Sequence, residues 1–400
     1  MTTRRTVLKT AVGGLALSTV RLPGVHAGLP SGAIESAALD ALPGKRALIK
    51  RSFRPPNYET PVEDLGAAIT PNDRFFVRWH LANIPTVNAR SWRLRVGGEA
   101  AASPLELTLT QLRREFHPAE LVAVCQCAGH QRGLAEPHVP GVQWGAGAVG
   151  NARWRGVRLR DLLARAGLMR QAIEIAFDGA DAPVIAQTPD FMKSLPVDKA
   201  LDENTLVAYE MNGSPLPAWN GFPVRLIVPG WAATYWVKQL TSVRALARPL
   251  SNFWMSTGYR VPTAIYPSTG EFRSQDSATS TPVTQIDVNS LVTSLRTGER
   301  LESGRPASLR GIAWDSGQGI ARVELSLDGG RQWQSARLGS DLGRFSFRTW
   351  TFDFTPRDRG PAVILCRATS GRGIVQPETW RANPSGYHNN VIQRLEVHVA

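Results

Sequence analysis

Cysteine is scarce in this chain: 400 residues contain three, Cys125, Cys127 and Cys366. An exported protein stapled by disulfides would carry a larger, even set. The single residue between Cys125 and Cys127 makes a mutual disulfide strained. No Cys-x-x-Cys-His string occurs, so no c-type haem is attached to this chain, and no Cys/His cluster has zinc spacing. Long hydrophobic runs are missing too: the apolar stretch from Thr10 to Val20 is too short to span a bilayer, and no later one is long enough. Blocks of like charge are absent although the formal net charge is +13, because the arginines are spread along the chain. That pattern argues against a nucleic-acid binder, which concentrates basic residues on one face or tail. It leaves a solvated Arg-rich surface, or long-range steering of anionic substrates and acidic partners. No internal repeat is evident.

The composition, 42% hydrophobic and 20% charged, is that of a globular protein with ample core, and the length predicts two domains. At the N-terminus, Thr3-Arg4-Arg5-Thr6-Val7-Leu8-Lys9 precedes the short apolar stretch, and Val25-His26-Ala27 offers a small-x-small cleavage site. Residues 1–27 therefore read as a signal peptide, and the paired arginines resemble a twin-arginine signal, a route for proteins exported already folded. The expected location is the periplasm. Residues 28–285 mix short strands and helical pieces: strands over 73–80, 91–96 and 222–228, helices over 110–116 and 159–166. After about residue 279 the pattern changes to short β runs over 288–292, 307–314, 320–327, 345–354 and 362–369, separated by turns such as Asp328-Gly329-Gly330. The expected fold class is α+β for the first domain, with residues 286–400 forming a β-sandwich.

Chemistry concentrates in Val124-Cys125-Gln126-Cys127-Ala128-Gly129-His130-Gln131-Arg132. Gly129 lets the backbone turn closely around whatever Cys127 holds. Arg132 favours a thiolate at Cys127, and a soft thiolate suits a transition metal. Taken alone, this loop is more simply read as a buried inert cysteine, since free cysteine usually behaves as a small hydrophobe.

Cys127-Ala128-Gly129 followed by Arg132 resembles the molybdenum-ligating loop of the sulfite oxidase family. So do Arg78-Trp79-His80, Trp144 with Gly147 and Gly150-Asn151-Ala152-Arg153-Trp154, and Ala208 to Gly213 with Pro215-Leu216. Gly221 to Arg225, Val228 to Trp231 and Val237-Lys238 continue the match. Val288-Asn289-Ser290, Trp314, Ser326 to Gly330 and Trp333 resemble the family's immunoglobulin-like domain. The resemblance covers roughly residues 55–400. It implies a sulfite-oxidase-type molybdopterin domain followed by an immunoglobulin-like β-sandwich of the dimerisation type.

The resemblance further implies that Cys127 supplies the protein thiolate to Mo-molybdopterin. Arg78, Arg132, Trp144, Tyr259 and Arg372 would line the substrate pocket, with His80 linking it to the surface, and Asp181, Asn220, Arg225 and Lys238 would contact the pterin and its phosphate. The implied activity is that of a periplasmic sulfite dehydrogenase oxidising sulfite to sulfate, its electrons passed to an external c-type cytochrome. A homodimer, or a heterodimer with a cytochrome subunit, is implied as well. Each residue also has an ordinary structural reading: Trp144 and Tyr259 as core aromatics, His80 as a satisfied histidine, Arg372 in Ser370-Gly371-Arg372-Gly373 as part of a turn, and Cys366 as a buried strand residue. Arg suits a small oxyanion because its planar fork binds at two points, and one Arg about 4 Å from a unit charge contributes roughly 4 kcal/mol at an effective dielectric near 20. His130 and Gln131 replace the Asn-Arg common in the family, removing one positive charge, Asn220 stands where a His is usual, and Cys125 has no family role. The alternatives are a molybdopterin reductase for methionine sulfoxide or nitrate on the same scaffold, and a secreted binding protein without chemistry.

Overall fold

The computed structural model describes residues 39–400; the expected signal peptide, residues 1–27, lies outside them. Among the described residues three larger sheets build the first domain, with a two-stranded ladder of Arg260–Pro262 and Ser280–Pro282 beside them. Leu39–Asp40, Leu48–Ser52, Asn57–Glu59 and Val77–Arg78 form an antiparallel sheet in that order, so the segment before residue 70 pairs directly with the strand that carries Arg78. A five-stranded sheet runs Met192–Pro196, Glu174–Asp178, Ser242–Leu246, Leu94–Gly97, Leu105–Leu107, with Ser242–Leu246 and Leu94–Gly97 parallel. The third sheet orders Ser214–Pro215, Leu206–Met211, Val149–Arg158 and Pro118–Gln126, with Arg225–Ile227 added on Leu206–Met211.

Its long hairpin matters most for function. Pro118–Gln126 pairs with Val149–Arg158 along its full length, ending at Gln126↔Val149, and the Cys127 N–H donates to Ala148 O at 3.0 Å. Residues 127–148 are thus the connection at the end of a rigid ladder. Helices are few and short. Leu109–Glu115 starts at a capping box in which Thr108 and Gln111 bond each other's backbone N–H, and Leu159–Arg165 buries Leu159, Leu162 and Leu163 at helical spacing.

The second domain is a two-sheet sandwich. One sheet is Asn289–Val292, Ala307–Trp314, Arg348–Phe354, Arg337–Leu338; the other is Arg300–Leu301, Gln393–Val399, Gly360–Ser370, Ile320–Ser326, Gln334–Ser335. Alternation along Ala307–Trp314 and Gln393–Val399 sends Leu309, Leu395 and Val397 into a core shared with Trp350 and Cys366. Cys366 is a buried strand residue.

Behind the 127–148 connection sits a buried ion pair. Arg51 Nε donates to Glu59 Oε2 at 2.9 Å, with both side chains 3% or less exposed. Glu59 also accepts from the N–H groups of Gly145 at 2.8 Å and Gly147 at 3.3 Å. A Cβ on Gly147 would lie 1.8 Å from Thr60 O, so only glycine allows this approach. Removing one partner of a buried pair strands the other. Glu59→Ala is therefore expected to cost about 3–5 kcal/mol, read as a lowered unfolding midpoint in calorimetry; an unchanged midpoint would contradict the role given to this pair.

Candidate active site and cofactor cavity

At the end of the hairpin lies a narrow cavity that opens to solvent. Cys127 lines it together with Cys125, Arg78, His80, Asn220, Thr234, Arg225, Lys238 and Tyr259. The loop around Cys127 is fixed by backbone bonds, His130 N–H to Cys127 O at 2.9 Å and Arg132 N–H to Gly129 O at 3.0 Å. Gln131 takes left-handed backbone, φ 61°. A Cβ on Gly129 would sit 2.4 Å from Arg132 Nη1. Glycine is needed there because the guanidinium lies flat against the loop.

On the opposite wall, Arg78 Nη1 donates to Asn57 Oδ1 at 3.2 Å and also bonds Trp79 O, while Nη2 donates to the Tyr259 hydroxyl oxygen at 3.4 Å. The same hydroxyl forms a close hydrogen bond with His80 Nε2, whose donor is set by the His80 tautomer. Burial, with the charges of Arg78 and Lys238, pulls the His80 pKa well down and keeps the ring neutral. Burial pushes the Tyr259 hydroxyl up, opposed by Arg78. Tyr259 is itself held in left-handed backbone, φ 60°, an uncommon conformation for a bulky residue and one that clusters at functional sites.

The remaining wall is cationic. Lys238 Nζ donates to Arg78 O at 2.8 Å and rests 4.4 Å over the Trp79 ring; desolvation, aided by Arg225, lowers its pKa to about 7. Arg225 donates to Asn220 O at 2.9 Å and Trp236 O at 3.1 Å. Asn220 accepts from Lys45 Nζ at 2.6 Å and donates to Phe76 O at 3.1 Å. Lys45 is itself buried, with its pKa brought down by desolvation to about 7; no sequence pattern marked it.

Not every expected residue reaches the cavity. Arg132 stands one layer back, its Nε donating to Ser385 O at 2.7 Å and its Nη1 to Val142 O at 3.2 Å. Trp144 is fully buried behind Phe76, edge to face at 6.5 Å, and belongs to the core. Asp181 acts on Lys238 electrostatically without lining the cavity; burial raises its own pKa. Arg372 is the clearest correction. It is exposed in the turn after Gly360–Ser370, where Gly371 N–H donates to Gly319 O at 2.7 Å, and its charge acts on Asp315. The Ser-Gly-Arg-Gly string is a turn that sequence cannot tell from a pocket. Of the loop departures, His130 is buried, pulled down to about 3, and edge-on to Trp314 at 5.8 Å, so it adds no charge. Gln131 accepts from Asn289 Nδ2 at 2.9 Å, and its carbonyl accepts from Asn389 Nδ2 at 2.9 Å. Cys125 lines the cavity with its thiol pushed up to about 11 by burial. Sequence reasoning also missed Phe191, stacked on His80 at 3.5 Å, and Tyr387, stacked on Tyr259 at 5.6 Å.

These residues fit a large anionic cofactor. Arg225 Nε and Thr234 Oγ1 are buried without a partner at the cavity wall, and buried polar atoms are nearly always satisfied. Among the described residues no group of three or more His, Cys, Asp or Glu is placed to hold a metal. A metal at Cys127 must take its other ligands from the cofactor.

The cationic wall makes stability depend on pH in a defined direction. Lys45 and Lys238 have folded-state values near 7, against about 10.4 in an unfolded chain. Between these values the unfolded state binds more protons, so stability rises with pH. Cys125 and Cys366, held at about 11 and 12, oppose this once unfolded thiols ionise near pH 8.5. Cofactor-free protein is expected to gain denaturant resistance from pH 7 to about 8.5, and Lys45→Met with Lys238→Met to reduce the gain, the remainder coming from Lys193 and Lys199, whose pKa values burial also lowers. A flat profile in the parent would contradict the burial of these amines.

Comparisons with known proteins agree with this geometry. The model of the oxidoreductase molybdopterin binding domain matches residues 80–254, and that of the Mo-co oxidoreductase dimerisation domain matches residues 280–400. Human mitochondrial sulfite oxidase is 34% identical over 371 residues, covering 88% of this chain, which spans 66% of that protein's length. Chicken sulfite oxidase is 34% identical over 351 residues, 84% of this chain and 74% of the relative. Spinach NADH nitrate reductase is 29% identical over 369 residues, 86% of this chain and 40% of the relative. The crystal structure of the sulfane dehydrogenase SoxCD from Paracoccus pantotrophus superposes with a TM-score of 0.73 at 25% identity, covering 97% of this chain and 95% of that one. A Cys-ended hairpin over a cationic cavity, followed by the immunoglobulin-like sandwich, places this chain in the sulfite oxidase family, whose cofactor is Mo-molybdopterin.

Proposed function

We propose that this protein oxidises sulfite to sulfate as a sulfite dehydrogenase, with Cys127 as the protein ligand of the metal and an external c-type cytochrome as electron acceptor. The observation that carries the reading is the cavity itself: a cysteine thiol at one end, an Arg78–Tyr259–His80 chain beside it, and a cationic wall behind. The sulfite oxidases among its relatives support it. Arg372, implied for the pocket by the family resemblance, lies elsewhere and adds nothing to it.

When bound, the molybdenum cofactor supplies two-electron oxygen-atom transfer. The chain's own residues do the rest. Arg78 and the Tyr259 hydroxyl orient the oxyanion, and Arg132 adds positive potential from behind Gly129. His80, kept neutral, holds the Tyr259 hydroxyl in place for the anion. Asn220, Arg225, Lys238 and Thr234 hold the pterin and its phosphate, and Asp181 tunes Lys238.

Electrons have a surface to leave by. His80 stacks on Phe191, Phe191 meets Trp254 at 5.3 Å, and Trp254 meets exposed Phe253 at 5.0 Å. Trp254 Nε1 bonds Pro189 O, on the loop that exposes Val184 and Ile185. This apolar area, on a chain with net charge +13, suits a transient acidic redox partner. Export to the periplasm by a twin-arginine signal, and pairing through the sandwich domain as a homodimer or beside a cytochrome subunit, complete the proposal.

Nitrate reduction is the second reading, favoured by the spinach relative and by the displacement of Arg372 from the cavity. Purified holoprotein is expected to reduce cytochrome c with sulfite, to show sulfate as a competitive inhibitor, and to leave nitrate and methionine sulfoxide untouched with a reduced dye. Cys127→Ser is expected to abolish sulfite turnover. Nitrate turnover without sulfite oxidation, or full turnover by the Ser variant, would refute the assignment.

A further inference from the structure

Tyr387 comes from the second domain, yet it packs against Tyr259, a residue that lines the cavity of the first. Its ring stacks on Tyr259 at 5.6 Å and 21°, and the Arg132 guanidinium lies over it at 5.2 Å. The turn that carries it is anchored on both sides. Asn383 Oδ1 accepts from Tyr387 N–H at 3.1 Å, Asn383 Nδ2 donates to Tyr387 O at 2.8 Å, and Trp380 Nε1 donates to the same carbonyl at 3.3 Å. Gly386, at φ 62°, has no room for a Cβ, which would meet Val139 Cγ2 at 2.6 Å and Arg132 Cγ at 2.8 Å. The bond from Arg132 to Ser385 O therefore fixes guanidinium and phenol as one unit.

Among the described residues the Tyr387 side chain makes no hydrogen bond, its polar contacts all being through the backbone. The residue is only 7% exposed, but its hydroxyl is not sealed off from solvent and is free to donate to an incoming group. Its ionisation responds to Tyr259, Arg132, Cys127 and Arg78, the groups of the substrate end of the cavity. Burial holds the phenol protonated, so it is a neutral donor at every ordinary pH.

We propose that the Tyr387 hydroxyl contacts the oxyanion substrate and sets its affinity, a neutral donor from the second domain where a third cation was expected. The proposal rests on the assigned oxyanion chemistry of the cavity. A hydrogen bond to a charged group contributes strongly, whereas a guanidinium in the same place would add a full charge and hold the sulfate product more tightly. A site with Tyr387 in place of Arg372 is built to release its product.

The test uses holoenzyme and two readouts, sulfate binding by calorimetry at fixed ionic strength and sulfite steady-state kinetics. Tyr387→Phe keeps the stack on Tyr259 and removes only the hydroxyl. It is expected to weaken sulfate binding and raise the sulfite KM by on the order of 10-fold, with kcat within about 2-fold and the thermal midpoint unchanged. Sulfate affinity and KM equal to the parent's would overturn the proposal, as would a parent that binds no sulfate. If the parent binds sulfate and Tyr387→Phe weakens it while neither turns over sulfite, the oxyanion contact stands and the assigned reaction falls.

Discussion

Positive charge buried without enough negative charge to match it is the constraint that organises this protein. Lys238, Arg225 and Arg78 line one cavity, and Lys45 stands behind its wall, bonded to Asn220. Of the carboxylates, Asp181 is the one that acts on Lys238, and Asp73 the one that acts on Lys45. Taking cations out of water costs several kcal/mol each. The chain limits that cost with backbone carbonyls, those of Asn72, Phe75, Arg78, Asn220 and Trp236, and with the ring faces of Trp79, Trp154 and Trp236. What the protein cannot supply, an anion, is left to the cofactor and the substrate. The unpartnered Arg225 Nε and Thr234 Oγ1 mark where it belongs.

A second theme is that the site is shared between domains. The loop from Cys127 to Arg132 projects from the catalytic hairpin, but its far side is gripped by the sandwich domain: Asn289 and Asn389 on Gln131, Ser385 on Arg132, and Tyr387 on Tyr259. Gln131, which replaces an arginine common in the family, is used for this grip. The loss of a charge beside the metal is thus coupled to a gain in interdomain bonding. Movement of one domain against the other would disturb Arg132 before it disturbed Cys127, whose position is set by the ladder ending at Gln126↔Val149.

Local patterns made much of the fold legible. The Thr108–Gln111 box starts a helix where the spacing predicts one, and Ala307–Trp314 is a strand over the range its alternation predicts. Cys127, Arg78 and His80 were readable because ordered motifs surround them, and the cavity brings them together with Tyr259, which stands alone in the sequence. The failures share a cause. Lys45 and Tyr387 act across gaps of 175 residues to Asn220 and more than a hundred to Tyr259, through carbonyls and ring faces that leave no trace in sequence. Arg372 and Trp144 had suitable types and neighbours but the wrong surroundings: one is held out by a turn bonded to Gly319, the other is screened by Phe76. The strands 118–126 and 149–158 were not among the expected elements, although exposed Arg153 and Arg155 alternate with buried Ala152, Trp154 and Gly156 in the second of them.

The central claim is that the Cys127 sulfur grips a metal delivered by a dithiolene cofactor. X-ray absorption at the molybdenum edge, on holoprotein and on Cys127→Ser, measures this directly. The account predicts one sulfur ligand fewer around molybdenum in the variant. Equal sulfur coordination in the two proteins, or no molybdenum in the parent, would contradict it.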